Sequence, residues 1–197
     1  YAPVTDAADA DLVLVNTCSV RHNPENKVYS FLGRLRPLKR RRPDMVVGVC
    51  GCVAQQEGEH ILEREPLVDL VFGPDHIFRL EELLREVAAG NRVCATSWMP
   101  RKGRVQNFVP EEWVERGHVD GVKAYIAITK GCNNMCTFCI VPHTRGREVS
   151  REPGSILREA ASLIERGAKE IWLLGQNVNS YRGQDGYRFL NLLDELS

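Results

Sequence analysis

Ala124-Tyr-Ile-Ala-Ile-Thr-Lys-Gly-Cys-Asn-Asn-Met-Cys-Thr-Phe-Cys139 joins a short apolar run to a loop that carries three thiols. Ala124 to Ile128 reads as a buried strand. The thiols follow directly, spaced Cys-x3-Cys-x2-Cys at Cys132, Cys136 and Cys139. That spacing suits one compact loop wrapped around an iron–sulfur cubane. Such clusters usually take four thiolates, so three would leave one iron open and reactive. Gly131 can supply the tight turn out of the strand, and Phe138 can shield one side of the cluster. Two other readings stay open. A structural zinc site is closed by four ligands, and His143 is the nearby candidate for a fourth. Three free thiols buried in a core form the second alternative.

The pattern outward from this loop is alternating. Leu12 to Val15, Met45 to Val49 and Val68 to Phe72 are short apolar runs. Helical stretches are expected between and after them over 25–38, 54–65 and 78–89, the last closed by Gly90. A βαβαβα order implies a parallel sheet with right-handed crossovers. Residues 93–121 lose the rhythm, with Pro100, Gly103, Pro110, Gly117 and Gly121, and read as a linker. Alternation resumes with the strand at 124–128, a helix over 155–166 and a strand at 171–174. Leu190, Leu193 and Leu196 recur at helical spacing over 189–196. The expected domains are therefore 1–92, with a linker over 93–121, and 122–197.

The 197 residues carry 26 basic and 26 acidic side chains, and 43% of them are hydrophobic. No global charge demands a nucleic acid or a membrane. No apolar run approaches the roughly 20 residues that span a bilayer, and a soluble, cytoplasmic protein is expected. The chain opens at Tyr1 without Met and stops at Ser197 inside a helical pattern, as a piece of a longer chain would. Seven cysteines, an odd number without a secretion signal, favour metal or redox chemistry over disulfides. Cys18 follows the first strand in Asn16-Thr-Cys-Ser-Val-Arg21, and Cys52 follows the second in Gly51-Cys-Val-Ala-Gln55. Both lie where ligands bind in open parallel sheets. Burial of two free thiols is the competing reading. Cys50 is expected to face the core and Cys94 to be structural.

Cys-x3-Cys-x-aromatic-Cys resembles the motif of the radical S-adenosylmethionine (SAM) enzymes. The continuation Cys136-Thr-Phe-Cys-Ile-Val-Pro-His-Thr-Arg-Gly-Arg-Glu-Val-Ser-Arg151 resembles the methylthiotransferases among them, of the tRNA-modifying MiaB type. Leu173-Leu-Gly-Gln-Asn-Val-Asn-Ser-Tyr181 is similar to the MiaB-type segment after the second barrel strand. The resemblance implies an α/β fold, an N-terminal parallel α/β sandwich followed by the first units of a radical SAM partial (β/α) barrel. It implies two 4Fe–4S clusters and SAM as cofactors. Cys132, Cys136 and Cys139 would hold the cluster that binds SAM. Cys18 and Cys52 would hold an auxiliary cluster, whose first cysteine would lie upstream of Tyr1. Gln176 and Asn177, at the rim after the second strand, are candidate SAM contacts; ordinary turn chemistry explains them equally well.

The reaction implied is addition of a methylthio group to carbon 2 of isopentenyl-adenosine beside the anticodon of tRNA. One SAM would methylate sulfur on the auxiliary cluster, and a second would yield the radical that abstracts hydrogen. The base must be flipped or looped out to be reached. The partners implied are that tRNA, SAM and an electron donor, with a monomeric protein and no membrane. A piece of this extent is expected to be inactive on tRNA by itself. Ser19 and Val20 resemble the isopentenyl-adenosine enzymes; a sister enzyme acting on threonylcarbamoyl-adenosine or on a ribosomal-protein aspartate is the alternative, and a zinc-stabilised RNA-binding module is the alternative without catalysis. Residues 21–42 hold eight basic side chains against the single acid Glu25, either a phosphate-binding block or a solvated helix face. Arg145, Arg147 and Arg151 are candidates for tRNA phosphates, the SAM carboxylate or a pair with Glu148.

Overall fold

A computed structural model describes residues 1–19, 24–101 and 103–197. The chain divides into two compact units, Tyr1–Met99 and Pro100–Ser197. The first is an α/β layer structure. Strands β1 (Leu12–Thr17), β2 (Val46–Gly51), β3 (Leu70–Phe72) and β4 (Val93–Ala95) form one sheet in sequential order, every pair parallel. Helix α1 (Pro24–Arg41) crosses from β1 to β2, α2 (Cys52–Glu57) and α3 (Glu59–Arg64) from β2 to β3, and α4 (Leu80–Ala88) from β3 to β4.

Both faces of the sheet are buried, which is why its strands read as continuous apolar runs. Val47, Val49 and Val71 face Val28, Leu32 and Leu35 of α1 and Ile61 of α3. Cys50, Leu70 and Phe72 face Leu83 of α4 on the other side. Cys50 thus points into the core, as its strand position implies. The helices depart from the sequence pattern at three places. The helix expected over 54–65 is broken at Gly58, at φ +52. The helix expected over 78–89 begins as a 3-10 turn at Pro74–Arg79. α1 runs through Pro37 to Arg41, although the proline ring can give no N–H to the Gly33 carbonyl.

The stretch read as a linker contributes strand near both ends, β4 in the first unit and Val119–Asp120 in the second. In the second unit, α5 (Glu111–Val114) leads to β5 (Val119–Asp120) and β6 (Lys123–Ala127); β5 pairs antiparallel with β6, and β6 parallel with β9 (Glu170–Leu174). Between them come β7 (Thr129–Lys130), α6 (Val141–Arg145), β8 (Val149–Ser150) and α7 (Pro153–Glu165); α8 (Phe189–Leu196) closes the chain. Ala124 and Ile126 are buried against Ile156, Ala160 and Leu163 of α7. The alternate residues Tyr125 and Trp172 lie on the opposite face of the sheet, paired in register and half exposed. No helix among the described residues is long and apolar enough to cross a membrane.

Candidate functional site

The three-thiol loop is an excursion closed at its foot. β7 and β8 pair antiparallel through Thr129↔Ser150 and Lys130↔Val149, so residues 131–148 leave and return at one place. Gly131, at φ +77, makes the exit. A side chain there would run into the carbonyls of Gly146 and Arg147, so close approach and backbone angle both require glycine. Cys132 N donates to Gly146 O at 3.1 Å. The Arg101 guanidinium clamps the carbonyls of Arg145 and Arg147. Glu148 N donates to Asn133 Oδ1 at 3.1 Å, and Gly131 N donates to Gln176 Oε1 at 2.6 Å.

Above this foot the loop opens to solvent. Cys132 is buried, Cys139 half-buried and Cys136 exposed. Asn134 N donates to Cys132 Sγ at 3.4 Å, and Cys139 N to Cys136 O at 3.0 Å. Met135 and Phe138 are 72% and 91% exposed, so Phe138 shields nothing in this conformation. Among the described residues, no three His, Cys, Asp or Glu side chains converge as a metal-holding group. The three thiols share a loop and are not drawn to one point; His143 is exposed and joins no such group. As a donor set they still fit an iron–sulfur cluster: three soft thiols on one anchored loop, two of them accessible.

Cys18 and Cys52 emerge at neighbouring strand ends. Thr17 pairs with Gly51, so each cysteine lies one residue beyond a register pair. Thr17 Oγ1 donates to Cys50 O at 2.6 Å and accepts from Val53 N at 3.2 Å, fastening the start of α2 to β1. Gly51, at φ +93, packs so closely on Thr17 that a side chain would collide with its backbone. Cys52 is buried and Cys18 half-buried. Ser19 Oγ and Gln55 Oε1 are buried without a hydrogen-bond partner. Orphaned polar atoms are rare; Ser19 follows Cys18 directly in the chain, whereas the Gln55 side chain packs on Gly73 and donates to the Thr96 carbonyl. Val20 and Arg21 of the same motif lie outside the described residues.

The arginine expectations divide. Arg147 is exposed and Arg145 half-buried. Arg151 is a correction: its side chain is fully enclosed, ion-paired with Glu159 and bonded to Ser155 Oγ at 2.9 Å, so it faces no phosphate. Tyr181 Oη donates to the Arg151 carbonyl at 2.8 Å, and burial pushes that phenol's pKa up. The basic block of α1 divides likewise. Arg36 pairs with Glu65, Lys39 with Asp69 and Arg42 with Asp11, while Lys27, Arg34, Arg40 and Arg41 are exposed. Asn177 precedes a 3-10 turn at Val178–Ser180. Glu148, named from the sequence only as a partner for Arg145, Arg147 and Arg151, is a buried carboxylate with Ser180 Oγ 2.5 Å from its Oε2. Its place in the Arg-Glu-Val-Ser run was the available signal.

Residues 1–73 match the family described as "Uncharacterized protein family UPF0004", and residues 126–195 match the radical SAM superfamily. The tRNA-2-methylthio-N(6)-dimethylallyladenosine synthase of Bdellovibrio bacteriovorus is 44% identical over 197 residues, all of this chain and 42% of that protein. The chain belongs to the radical SAM methylthiotransferase family. The enzyme of the same name from Acidithiobacillus ferrooxidans is 49% identical over 183 residues, 93% of this chain and 40% of that protein. This member of the family thus spans about two fifths of the length of these relatives. Among solved structures, the radical SAM methyltransferase TsrM of Kitasatospora setae, with tryptophan substrate and a SAM analogue bound, covers 93% of the chain at a TM-score of 0.55 and 19% identity. That likeness is one of fold. It agrees with the expected class, a parallel α/β layer followed by the first units of a radical SAM barrel.

Proposed function

We propose that the chain is part of an enzyme that methylthiolates carbon 2 of isopentenyl-adenosine next to the anticodon of tRNA. The observation that carries this reading is the three-thiol loop, anchored at its foot after a barrel strand, in a chain whose whole length aligns with synthases of that name. Cys132, Cys136 and Cys139 would hold a 4Fe–4S cluster, and Cys18 and Cys52 would supply two ligands of an auxiliary one. Such a cluster, when bound with SAM and reduced by an external donor, supplies reductive cleavage of SAM to methionine and a 5′-deoxyadenosyl radical. Cofactors carry that step because side-chain acids and bases cannot activate an aromatic C–H bond.

The chain's own residues position and shield. The β7–β8 ladder and the Arg101 clamp fix the foot of the loop. The orphaned Ser19 hydroxyl, next to Cys18 in the chain, supports a polar occupant at the ends of β1 and β2. Exposed Arg147 and the outward cations of α1 would meet tRNA phosphates. The protein would act in the cytoplasm as a monomer. Incubation of the reconstituted chain with SAM and a chemical reductant tests the site: 5′-deoxyadenosine should form, and Cys132→Ala should abolish it. Fusing the chain to the remaining segments of a relative and analysing tRNA nucleosides by mass tests the substrate. Exchange of one hydrogen for a methylthio group on isopentenyl-adenosine supports the reading; modification only of threonylcarbamoyl-adenosine or of a ribosomal protein reassigns it.

A further inference from the structure

One short segment after β9 reaches both shoulders of the thiol loop. Gln176 Oε1 accepts from the N–H of Gly131, the residue before Cys132, at 2.6 Å. Four residues on, Ser180 Oγ lies 2.5 Å from Glu148 Oε2, and the Glu148 N–H in turn holds Asn133 Oδ1 at 3.1 Å. The segment itself has little freedom to back away, since Gly175 packs against Thr129 so tightly that any side chain there would strike the threonine hydroxyl. Gly131 is equally confined, at φ +77 against the carbonyls of Gly146 and Arg147. A hydrogen bond on its N–H therefore fixes the Lys130–Gly131 peptide, the one before the peptide that joins Gly131 to Cys132. An N–H needs an acceptor, so the amide oxygen of Gln176 is the atom committed to Gly131.

We infer that Gln176 is a positioning residue: its amide oxygen holds the Lys130–Gly131 peptide and so fixes the turn that leads from β7 to Cys132. This rests on reading Cys132, Cys136 and Cys139 as cluster ligands. Sequence position alone offered SAM binding and turn chemistry equally; the bond to Gly131 gives the amide oxygen a structural role of its own.

Three variants test it. Gln176→Leu removes the acceptor at similar size, Gln176→Asn shortens its reach, and Gln176→Glu keeps an oxygen in place. Gln176 is on the surface, so all three should fold. Each is reconstituted anaerobically with iron and sulfide, challenged with a chelator, and read by EPR in the reduced state with and without SAM. Amide exchange around Gly131 is followed in the metal-free chain. In Q176L and Q176N the Gly131 segment should exchange faster, and the cluster should be stripped about two- to tenfold faster before any SAM is added, as loss of one hydrogen bond allows. Q176E should restore both. Unchanged exchange and stripping in Q176L, with only the spectral response to SAM lost, would overturn the proposal and make Gln176 a SAM contact. If the native chain takes up no cluster, the cysteine reading fails instead, and exchange in the metal-free chain still decides whether Gln176 holds Gly131.

Discussion

At the scale of single residues, the strongest constraints sit where the chain turns out of a strand. Gly131→Ala should destabilise the second unit by about 1–3 kcal/mol, because it adds a left-handed backbone penalty to a collision with two carbonyls. Urea unfolding of the metal-free variant reads this directly. Arg151 makes the opposite kind of commitment. Arg151→Met leaves Glu159 buried and unpaired, which should lower stability by about 3–5 kcal/mol, and adding Glu159→Leu should recover most of that loss. Equal loss in the single and double variants would contradict the pairing. Cys50 adds a pH dependence. Burial pushes its thiol from 9.0 up to about 11, so the folded chain keeps this proton to higher pH than the unfolded one. The stability it contributes is whole below pH 9 and falls as pH rises toward about 11. A urea midpoint followed across that window should drop, and Cys50→Val should flatten the drop.

At the scale of elements, α1 shows how a basic block is shared between fold and surface. Asp69 Oδ2 accepts from both Lys39 Nζ and Val47 N, each at 2.8 Å, tying the helix to β2. Asp69→Ala should therefore cost about 1–3 kcal/mol by stranding a lysine and a strand N–H. Replacing Lys27, Arg34 and Arg41 by Gln should change the unfolding free energy read by urea by no more than about 0.5 kcal/mol apiece. Eight basic residues in a row of sequence could not announce this division. Asp11, Glu65 and Asp69, which claim three of them, come from other elements. Arg151 was misread for the same reason, since Glu159 reaches it only after α7 has turned twice. The strands were legible because both faces of the first sheet are buried and give unbroken apolar runs. β4, β7 and β8 were not, since two or three residues carry no periodicity. The placement of Cys18 and Cys52 beyond paired strand ends followed from the same apolar runs, whereas the bond from Gly131 to Gln176 joins residues 45 positions apart and has no sequence signature.

At the scale of the whole molecule, two α/β units each present cysteines beyond the ends of parallel strands, and the family to which the chain belongs supplies the chemistry such thiols would serve. The first unit offers two thiols, one of them next in the chain to the unpartnered Ser19 hydroxyl, and the second offers three on one anchored loop. The account depends most on that loop. The measurement that tests it most directly is anaerobic reconstitution of the chain with iron and sulfide, a count of metal per chain, and EPR of the reduced form before and after adding SAM. About four irons held by Cys132, Cys136 and Cys139, with a spectrum that shifts on adding SAM, is the predicted result; a count nearer eight would add the auxiliary site at Cys18 and Cys52. Tightly bound zinc, with no cluster and no response to SAM, would contradict the account and leave a structural metal module in its place.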